Sequence, residues 1–211
     1  MILINVLVAC EESQEVCKAF RAKGHNAFSC DIQPCSGGHP EWHLQGDVIK
    51  VIEQGFMPKP QWDLIICHPP CTYLCKASAR HMFNSPGVIN IDRYQKAMAA
   101  RNFFLYFWNL EGVAVCIENP TPLKCVELPK ETQVIQPWQF GDPYTKRTCL
   151  WLKNLPPLQP TNIVEPVSPY VPSFTSRKIH DKYGAAKRGD DSKNRSKTFP
   201  GIAQAMADQW G

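Results

Sequence analysis

A short apolar run that ends in two prolines and a cysteine constrains this chain more than any other feature. Residues 64–67 (Leu-Ile-Ile-Cys) have the length and the uninterrupted hydrophobicity of a strand buried on both faces of a parallel sheet. Pro69 and Pro70 cannot continue such a strand, and they hold the chain in an extended turn. The pattern therefore predicts that Cys71 lies just beyond the carboxyl edge of a sheet, where open α/β folds bind ligands.

A second strand-like run ends in a carboxylate. Residues 113–117 are apolar, and Glu118, Asn119 and Pro120 follow directly. Because the carboxyl ends of parallel strands meet at one edge of a sheet, we expect Glu118 and Cys71 at the ends of neighbouring strands.

The rest of the chain alternates between strand-like and helix-like segments. This alternation predicts an α/β fold with a single, mostly parallel sheet flanked by helices. Strands are predicted over residues 2–9, 26–30, 64–67, 113–118, 134–135 and 148–152, and helices over residues 13–23, 47–54, 91–110 and 201–210. Residues 32–46 are predicted as loop, and residues 72–88 as loop or broken helix.

Length and composition favour one globular domain in a reducing compartment. The 211 residues are 44% hydrophobic and 20% charged, and the net charge of +4 permits a nucleic-acid partner without by itself indicating one. Several of the 10 cysteines lie inside predicted strands, such as Cys67 and Cys116, which argues against a disulfide framework. The apolar start lacks a basic region before it and is too short to cross a bilayer, so we expect a first buried strand, a cytoplasmic protein and no membrane partner.

The pairing, order and spacing of Pro69-Pro70-Cys71 and Glu118-Asn119 resemble the Pro-Pro-Cys and Glu-Asn motifs of the DNA cytosine C5-methyltransferases. The resemblance covers residues 3–152 and the last helix. It implies a Rossmann-like, S-adenosylmethionine-dependent methyltransferase fold. Its divisions are a catalytic core at residues 1–152, a basic, proline-rich insert at residues 153–197, and a helix at residues 198–211 that returns to the core.

The resemblance also implies a reaction, which is transfer of a methyl group from S-adenosylmethionine to C5 of cytosine in DNA. Cys71 would attack C6 of the ring, and Glu118, as a protonated or proton-sharing carboxyl in a dry pocket, would hold N3 and the exocyclic amine. In the stretch from Phe140 to Thr148, Lys146 or Arg147 would hold the cytosine carbonyl and lower the thiol pKa, and the sequence does not separate these two. The further residues expected at the base are Pro70, Asn119 and Tyr144.

The methyl donor is expected beside the first three strands. An acid after the second strand, Asp31, suits the ribose hydroxyls, and Asp47 matches the acid that binds the adenine amine in the family. The family has glycines in the first turn, whereas this chain has Cys10 and Glu12 there, and carboxylates in that turn suit a sulfonium better than a pyrophosphate. Asp31 as a turn residue and Asp47 as a helix cap remain alternatives. The residues expected to bind S-adenosylmethionine are Ala9, Cys10, Glu11, Asp31, Ile32, Asp47, Val48, His68 and Pro69.

Residues 153–197 are the only ones available for target recognition. They are rich in proline and in basic residues, which favours contacts to phosphates over dense readout of bases. A duplex substrate, which we favour over single strands, requires base flipping. We therefore expect short or relaxed sequence specificity, or the help of a second subunit. Small enzymes of this kind resemble methyltransferase-like proteins of bacteriophages and prophages, so a bacterial or phage-infected cell is the expected setting.

Three alternatives remain open from the sequence. An amino-methyltransferase acting on adenine N6 or cytosine N4 would explain the two prolines, but not His68 in place of Asp or Asn, nor Glu118. The same C5 chemistry on dCMP or on single strands is compatible with a reduced recognition region. A non-catalytic, zinc-stabilised nucleic-acid-binding protein would use cysteine and histidine ligands. The two candidate ligand sets are Cys30, Cys35, His39 and His43, and Cys67, His68, Cys71 and Cys75.

Overall fold

A seven-stranded sheet forms the centre of the protein in the computed structural model, which describes residues 2–54, 62–169 and 196–211. The order across this sheet is β3-β2-β1-β4-β7-β10-β8. The strands in chain order are β1 (Asn5–Ala9), β2 (Asn26–Asp31), β3 (His43–Gln45), β4 (Leu64–Cys67), β5 (Phe83–Ser85), β6 (Val88–Ile89), β7 (Ala114–Asn119), β8 (Gln133–Ile135), β9 (Tyr144–Thr145), β10 (Thr148–Lys153) and β11 (Ser168–Pro169).

The sheet is mostly parallel. Strands β3, β2, β1, β4 and β7 run in the same direction, whereas β10 is antiparallel to both of its neighbours, β7 and β8. The predicted α/β class with a mostly parallel sheet flanked by helices is therefore confirmed, and the arrangement is compatible with a Rossmann-like fold.

Helices cover both faces of the sheet. They are α1 (Glu15–Ala22), α2 (Val48–Gln54), α3 (Ile91–Trp108) and α4 (Pro200–Trp210). Because successive residues of a strand point to opposite faces, β1 supplies Val6 and Val8 to a core under α1 and α4, and Leu7 and Ala9 to a second core under α2 and α3. Within the described part of the chain, no helix has the length and hydrophobicity needed to cross a membrane.

The predicted elements agree with the structure except in two regions, which are the sheet edge at residues 43–45 and the segment at residues 72–88. Residues 32–46 were predicted as loop, but residues 43–45 form β3, a short edge strand in which only Leu44 is buried. Its periodic signal is too short to recognise in the sequence. Residues 72–88 contain two short 3-10 turns and the β5–β6 hairpin. Nearly all of the basic region at residues 176–197 lies outside the described residues.

Candidate active site

The candidate site lies at the carboxyl edge of the three central parallel strands. In register, Ala9 of β1 lies beside Cys67 of β4, and Cys67 lies beside Ile117 of β7. The next residue along β7, Glu118, therefore comes beside His68. Nδ1 of His68 is 3.2 Å from Oε2 of Glu118, and the two side chains are only 9% and 16% exposed. The edge thus holds a largely buried imidazole–carboxylate pair.

Asn119 ties the Pro-Pro-Cys turn to β7. Its side chain is buried, and its Nδ2 donates a hydrogen bond of 2.8 Å to the carbonyl of Pro69. Because Pro69 is itself buried and Cys71 follows two residues later, this bond fixes where the chain leaves the sheet before Cys71. The two motifs that are 50 residues apart in sequence are therefore joined directly.

Cys71 is paired with a second thiol, that of Cys75, one turn further along the chain. Cys71 donates a hydrogen bond to Cys75, and this bond, with burial and the negative charges of Cys75 and Glu118, raises the pKa of Cys71. The same bond and the backbone N–H groups of Ala77 and Ser78 outweigh burial and lower the pKa of Cys75 to about 6. The pair therefore loses its first proton more readily than an isolated thiol and its second one less readily.

Glu118 is surrounded by groups that favour its ionised form. Burial raises the pKa of Glu118, but the hydrogen bond with His68 and the charges of His68 and Lys146 together lower it more, so its net pKa lies below the usual value for a glutamate. These groups therefore favour the carboxylate over the protonated carboxyl expected from the sequence, and the hydrogen bond to His68 is what remains of proton sharing.

The two neighbouring cations, Lys146 and Arg147, are in different environments. The Arg147 guanidinium donates to Oγ1 of Thr121 at 3.1 Å and to Oε1 of Glu131 at 2.9 Å. Lys146 has its Nζ 5.6 Å from the centre of the Phe199 ring, and its charge acts on Glu118. Lys146, rather than Arg147, thus contributes to the electrostatics of Glu118.

A pocket of about 380 Å³ opens next to this cluster, at the ends of β1, β2 and β3. The carboxylates of Asp31 and Asp47 line it, and each also accepts a hydrogen bond from a backbone N–H two residues further along the chain. Oδ1 of Asp31 accepts from the N–H of Gln33 at 2.8 Å, and Oδ1 of Asp47 accepts from the N–H of Ile49 at 3.0 Å. Asp31 is thus a turn residue and Asp47 a helix cap, and both also line the pocket. Further lining residues are Cys10, Ile32, Val48, Pro70, Thr72, Tyr73, Ala100 and Phe103.

Glu11 points into the protein instead of lining this pocket. Its two carboxylate oxygens accept hydrogen bonds from the N–H groups of Val16 at 2.6 Å and Cys17 at 3.2 Å, so it caps the start of α1. Burial raises the pKa of Glu11 to about 7, although the charge of His68 and the two N–H groups oppose the shift.

The structure separates the remaining predicted residues. Ala9 is buried in the sheet, and its carbonyl accepts from the N–H of His68 at 2.9 Å. Pro69 is likewise buried, whereas Tyr144 packs against Phe199 with ring centres 5.9 Å apart. Of the residues expected to bind the donor, Ala9, His68 and Pro69 do not line the 380 Å³ pocket.

Neither proposed zinc ligand set forms a ligand cluster, because no three His, Cys, Asp or Glu side chains among the described residues converge on a metal position. Their donors are used elsewhere. Sγ of Cys35 donates to Gln14, the ring of His39 stacks on Trp42, and His43 bonds Ser29.

Two features of the site were missed from the sequence. The pairing of His68 with Glu118 follows from strand register, and the pairing of Cys71 with Cys75 follows from the compact turns after Pro70. The i, i+4 spacing of Cys71 and Cys75 is a sequence signal for a thiol pair, but the same spacing also fits two ligands of a metal site. A scan against protein-family models and a search of the curated proteins found no match to this chain.

Proposed function

We propose that this protein methylates C5 of cytosine in DNA, with S-adenosylmethionine as methyl donor and Cys71 as nucleophile. The observation that carries the proposal is the junction of the two motifs, in which Asn119 binds the Pro69 carbonyl and Glu118 pairs with His68. This junction brings a thiol and a buried carboxylate to adjacent strand ends, as covalent attack on a held base requires.

The 380 Å³ pocket supports the choice of methyl donor. Asp31 and Asp47 each keep a second carboxylate oxygen that has no hydrogen-bond partner among the described residues, so each can accept from a ribose hydroxyl or an adenine amine. Val48, Ala100 and Phe103 offer apolar surface for a purine and a thioether-like chain. When bound, S-adenosylmethionine supplies an electrophilic methyl group.

Cys71 and Cys75 together provide the nucleophile in this proposal. Cys75 takes the proton of Cys71 as the Cys71 sulfur forms its bond to C6 of cytosine, and the electron pair of the C5–C6 double bond moves into the ring. This makes C5 nucleophilic. After methylation the C5 proton is released to solvent and the Cys71 thiolate leaves, which restores the ring. Cys71 then regains its proton from Cys75, so the enzyme ends as it began. Because its pKa is lowered to about 6, Cys75 is ionised at neutral pH and can accept this proton as the Cys71–C6 bond forms.

Glu118 and His68 hold the base in this proposal. The carboxylate of Glu118 accepts from the exocyclic amine, and the shared proton of the His68–Glu118 pair is available to N3 as negative charge develops there. In this proposal the hydrogen bond with His68 keeps the Glu118 carboxylate in place beside the base. Lys146 adds positive charge on the same side.

Nucleoside mass spectrometry after incubation with S-adenosylmethionine tests the proposal. Duplex DNA, single-stranded DNA and dCMP are offered in parallel, with Cys71→Ser and Glu118→Gln as site variants and Cys125→Ser as a matched thiol control. We expect 5-methylcytosine from the wild-type protein and from Cys125→Ser, and a loss of at least a hundredfold in Cys71→Ser. A product at N4 or N6, or full turnover by Cys71→Ser, would refute the proposed chemistry.

A further inference from the structure

A second pocket shares Tyr73 with the 380 Å³ pocket proposed for the methyl donor, which is called the donor pocket below. It measures about 420 Å³ and is formed by residues between Tyr73 and Lys96, chiefly polar ones. Tyr73 lines both pockets, and the guanidinium of Arg93 packs 4.8 Å from the centre of the Tyr73 ring. We call it the basic pocket and define it by Arg80, His81, Arg93 and Lys96.

The basic pocket has an excess of positive charge. Arg80, Arg93 and Lys96 face a single carboxylate, that of Asp92, which is already bound to Lys96 Nζ at 2.8 Å. Arg80 uses its Nε on the ring of His81, so among the described residues its two terminal nitrogens have no partner. These nitrogens form the planar fork that suits phosphate oxygens.

Neutral donors complete the basic pocket. The side-chain oxygen of Asn90 accepts from the N–H of Arg93 and caps α3, which leaves the NH₂ group of Asn90 as a donor. The pocket also lies at the start of α3, where the helix dipole favours an anion. Charge, donors and dipole therefore all favour a phosphate group.

The basic pocket is connected to the nucleophile through its own wall. Arg93 donates a hydrogen bond of 2.9 Å to the carbonyl of Thr72, the residue after Cys71. The β5–β6 hairpin and the start of α3 expose apolar side chains at and next to the pocket: Phe83, which lines it, is 42% exposed, Val88 54% and Ile91 64%. A ligand that fills the pocket would therefore contact Arg93, which is bonded to the residue after Cys71, and could extend over this apolar surface.

We propose that the basic pocket binds a backbone phosphate of the polynucleotide that carries the target base, and that the hairpin contacts the sugars or bases beside it. The proposal rests on the proposed function, because Cys71 is what makes this edge the place for a base. A polynucleotide fits better than a mononucleotide, since the apolar hairpin extends the contact surface beyond one phosphate.

Fluorescence anisotropy with a labelled 20-nucleotide duplex and its single strand tests the basic pocket. The variant Arg80→Gln/Lys96→Gln removes two exposed charges and leaves Arg93 and its contact to Thr72. The control Lys18→Gln/Lys23→Gln removes two charges, one from α1 and one from the residue that follows it, on the opposite face of the sheet. We expect the pocket variant to bind about tenfold more weakly near 50 mM salt, with a salt slope smaller by about 1 to 2, and the control to match the wild type.

Binding needs no methyl transfer, so the two proposals fail separately. Oligonucleotide binding that weakens in the pocket variant, with no methylated product, would retain the basic pocket and refute the proposed function. Equal losses in both double variants, or no binding by the wild type, would refute the basic pocket. If the pocket variant lost dCMP methylation as strongly as it lost oligonucleotide binding, the pocket would bind a nucleotide's own phosphate, and the proposal would be refuted. Binding to anionic phospholipid vesicles but not to oligonucleotides would refute it as well.

Discussion

Replacing Cys75 with alanine should remove the low-pH reactivity of the Cys71–Cys75 pair. In the wild-type protein the first proton leaves with a pKa of about 6, because the thiolate on Cys75 accepts from the Cys71 thiol and from two backbone N–H groups. In Cys75→Ala, Cys71 keeps its burial and the nearby Glu118 charge, which both raise its pKa, so it should titrate at or above the ordinary value of 9.0. The expected shift is therefore about three pH units.

The shift must be measured as a midpoint and not as a rate at one pH. At pH 7.5 the thiolate fraction falls roughly thirtyfold when the pKa rises from about 6 to about 9. The thiolate of higher pKa is intrinsically more nucleophilic, and a Brønsted coefficient of about 0.4–0.5 recovers most of that factor over three units. A single rate would therefore hide the effect, whereas the pH at half-maximal reaction would show it.

The assay is iodoacetamide alkylation between pH 5 and pH 10, with tandem mass spectrometry to quantify Cys71 and Cys75 separately. The wild type should reach half-maximal alkylation of the pair near pH 6, and Cys75→Ala should show alkylation of Cys71 only above pH 8. Cys125→Ala controls for the loss of a thiol elsewhere, and a thermal melt of each variant excludes alkylation of unfolded protein. Identical midpoints in wild type and Cys75→Ala would refute the pairing.

Three further outcomes follow from the site. Asp31→Ala should weaken S-adenosylmethionine binding about 10- to 100-fold by calorimetry, and undiminished affinity would remove Asp31 from the site. The pKa of Glu11 is about 4.5 in the unfolded chain and about 7 in the folded protein, so the folded state binds more protons between these pH values. The free energy of unfolding should therefore fall by roughly 3 kcal/mol as the pH rises through this range. Urea unfolding at pH 5 and pH 8 should show this fall in the wild type and not in Glu11→Gln. Asn119→Ala should lower stability by about 1–3 kcal/mol in the same assay and slow methyl transfer without changing donor affinity, and a loss of donor binding would contradict the role given to Asn119.

The sequence predicted the strands of the site because each of them is apolar on both faces. Such runs are recognisable when a parallel strand is central, as with β4 and β7. The same signal did not predict β3, because β3 is an edge strand of only three residues. Strand ends also predicted the positions of Cys71 and Glu118. The contact between Glu118 and His68 needed the register of β4 against β7, which periodicity does not give.

Side-chain partners from distant segments could not be predicted. Lys146 and Arg147 are equivalent in the sequence, and only the folded chain brings Glu131 to Arg147 and leaves Lys146 to act on Glu118. The inward turn of Glu11 was likewise hidden, because a carboxylate beside a ligand pocket and a carboxylate that caps a helix have the same local sequence.

The first turn shows how this chain manages without the glycines expected after β1. Cys10 and Gln14 both have φ near 60°, a conformation that costs a residue other than glycine about 1–2 kcal/mol. The cost is offset by side chains: Gln14 is fully buried and binds both the N–H and the carbonyl of His39, and Glu11 caps α1 with two hydrogen bonds. The turn is thus fixed by its own polar residues. It presents Cys10 to the donor pocket and turns the Glu11 carboxylate inward onto the start of α1, so Glu11 is not among the residues that a ligand in that pocket would contact.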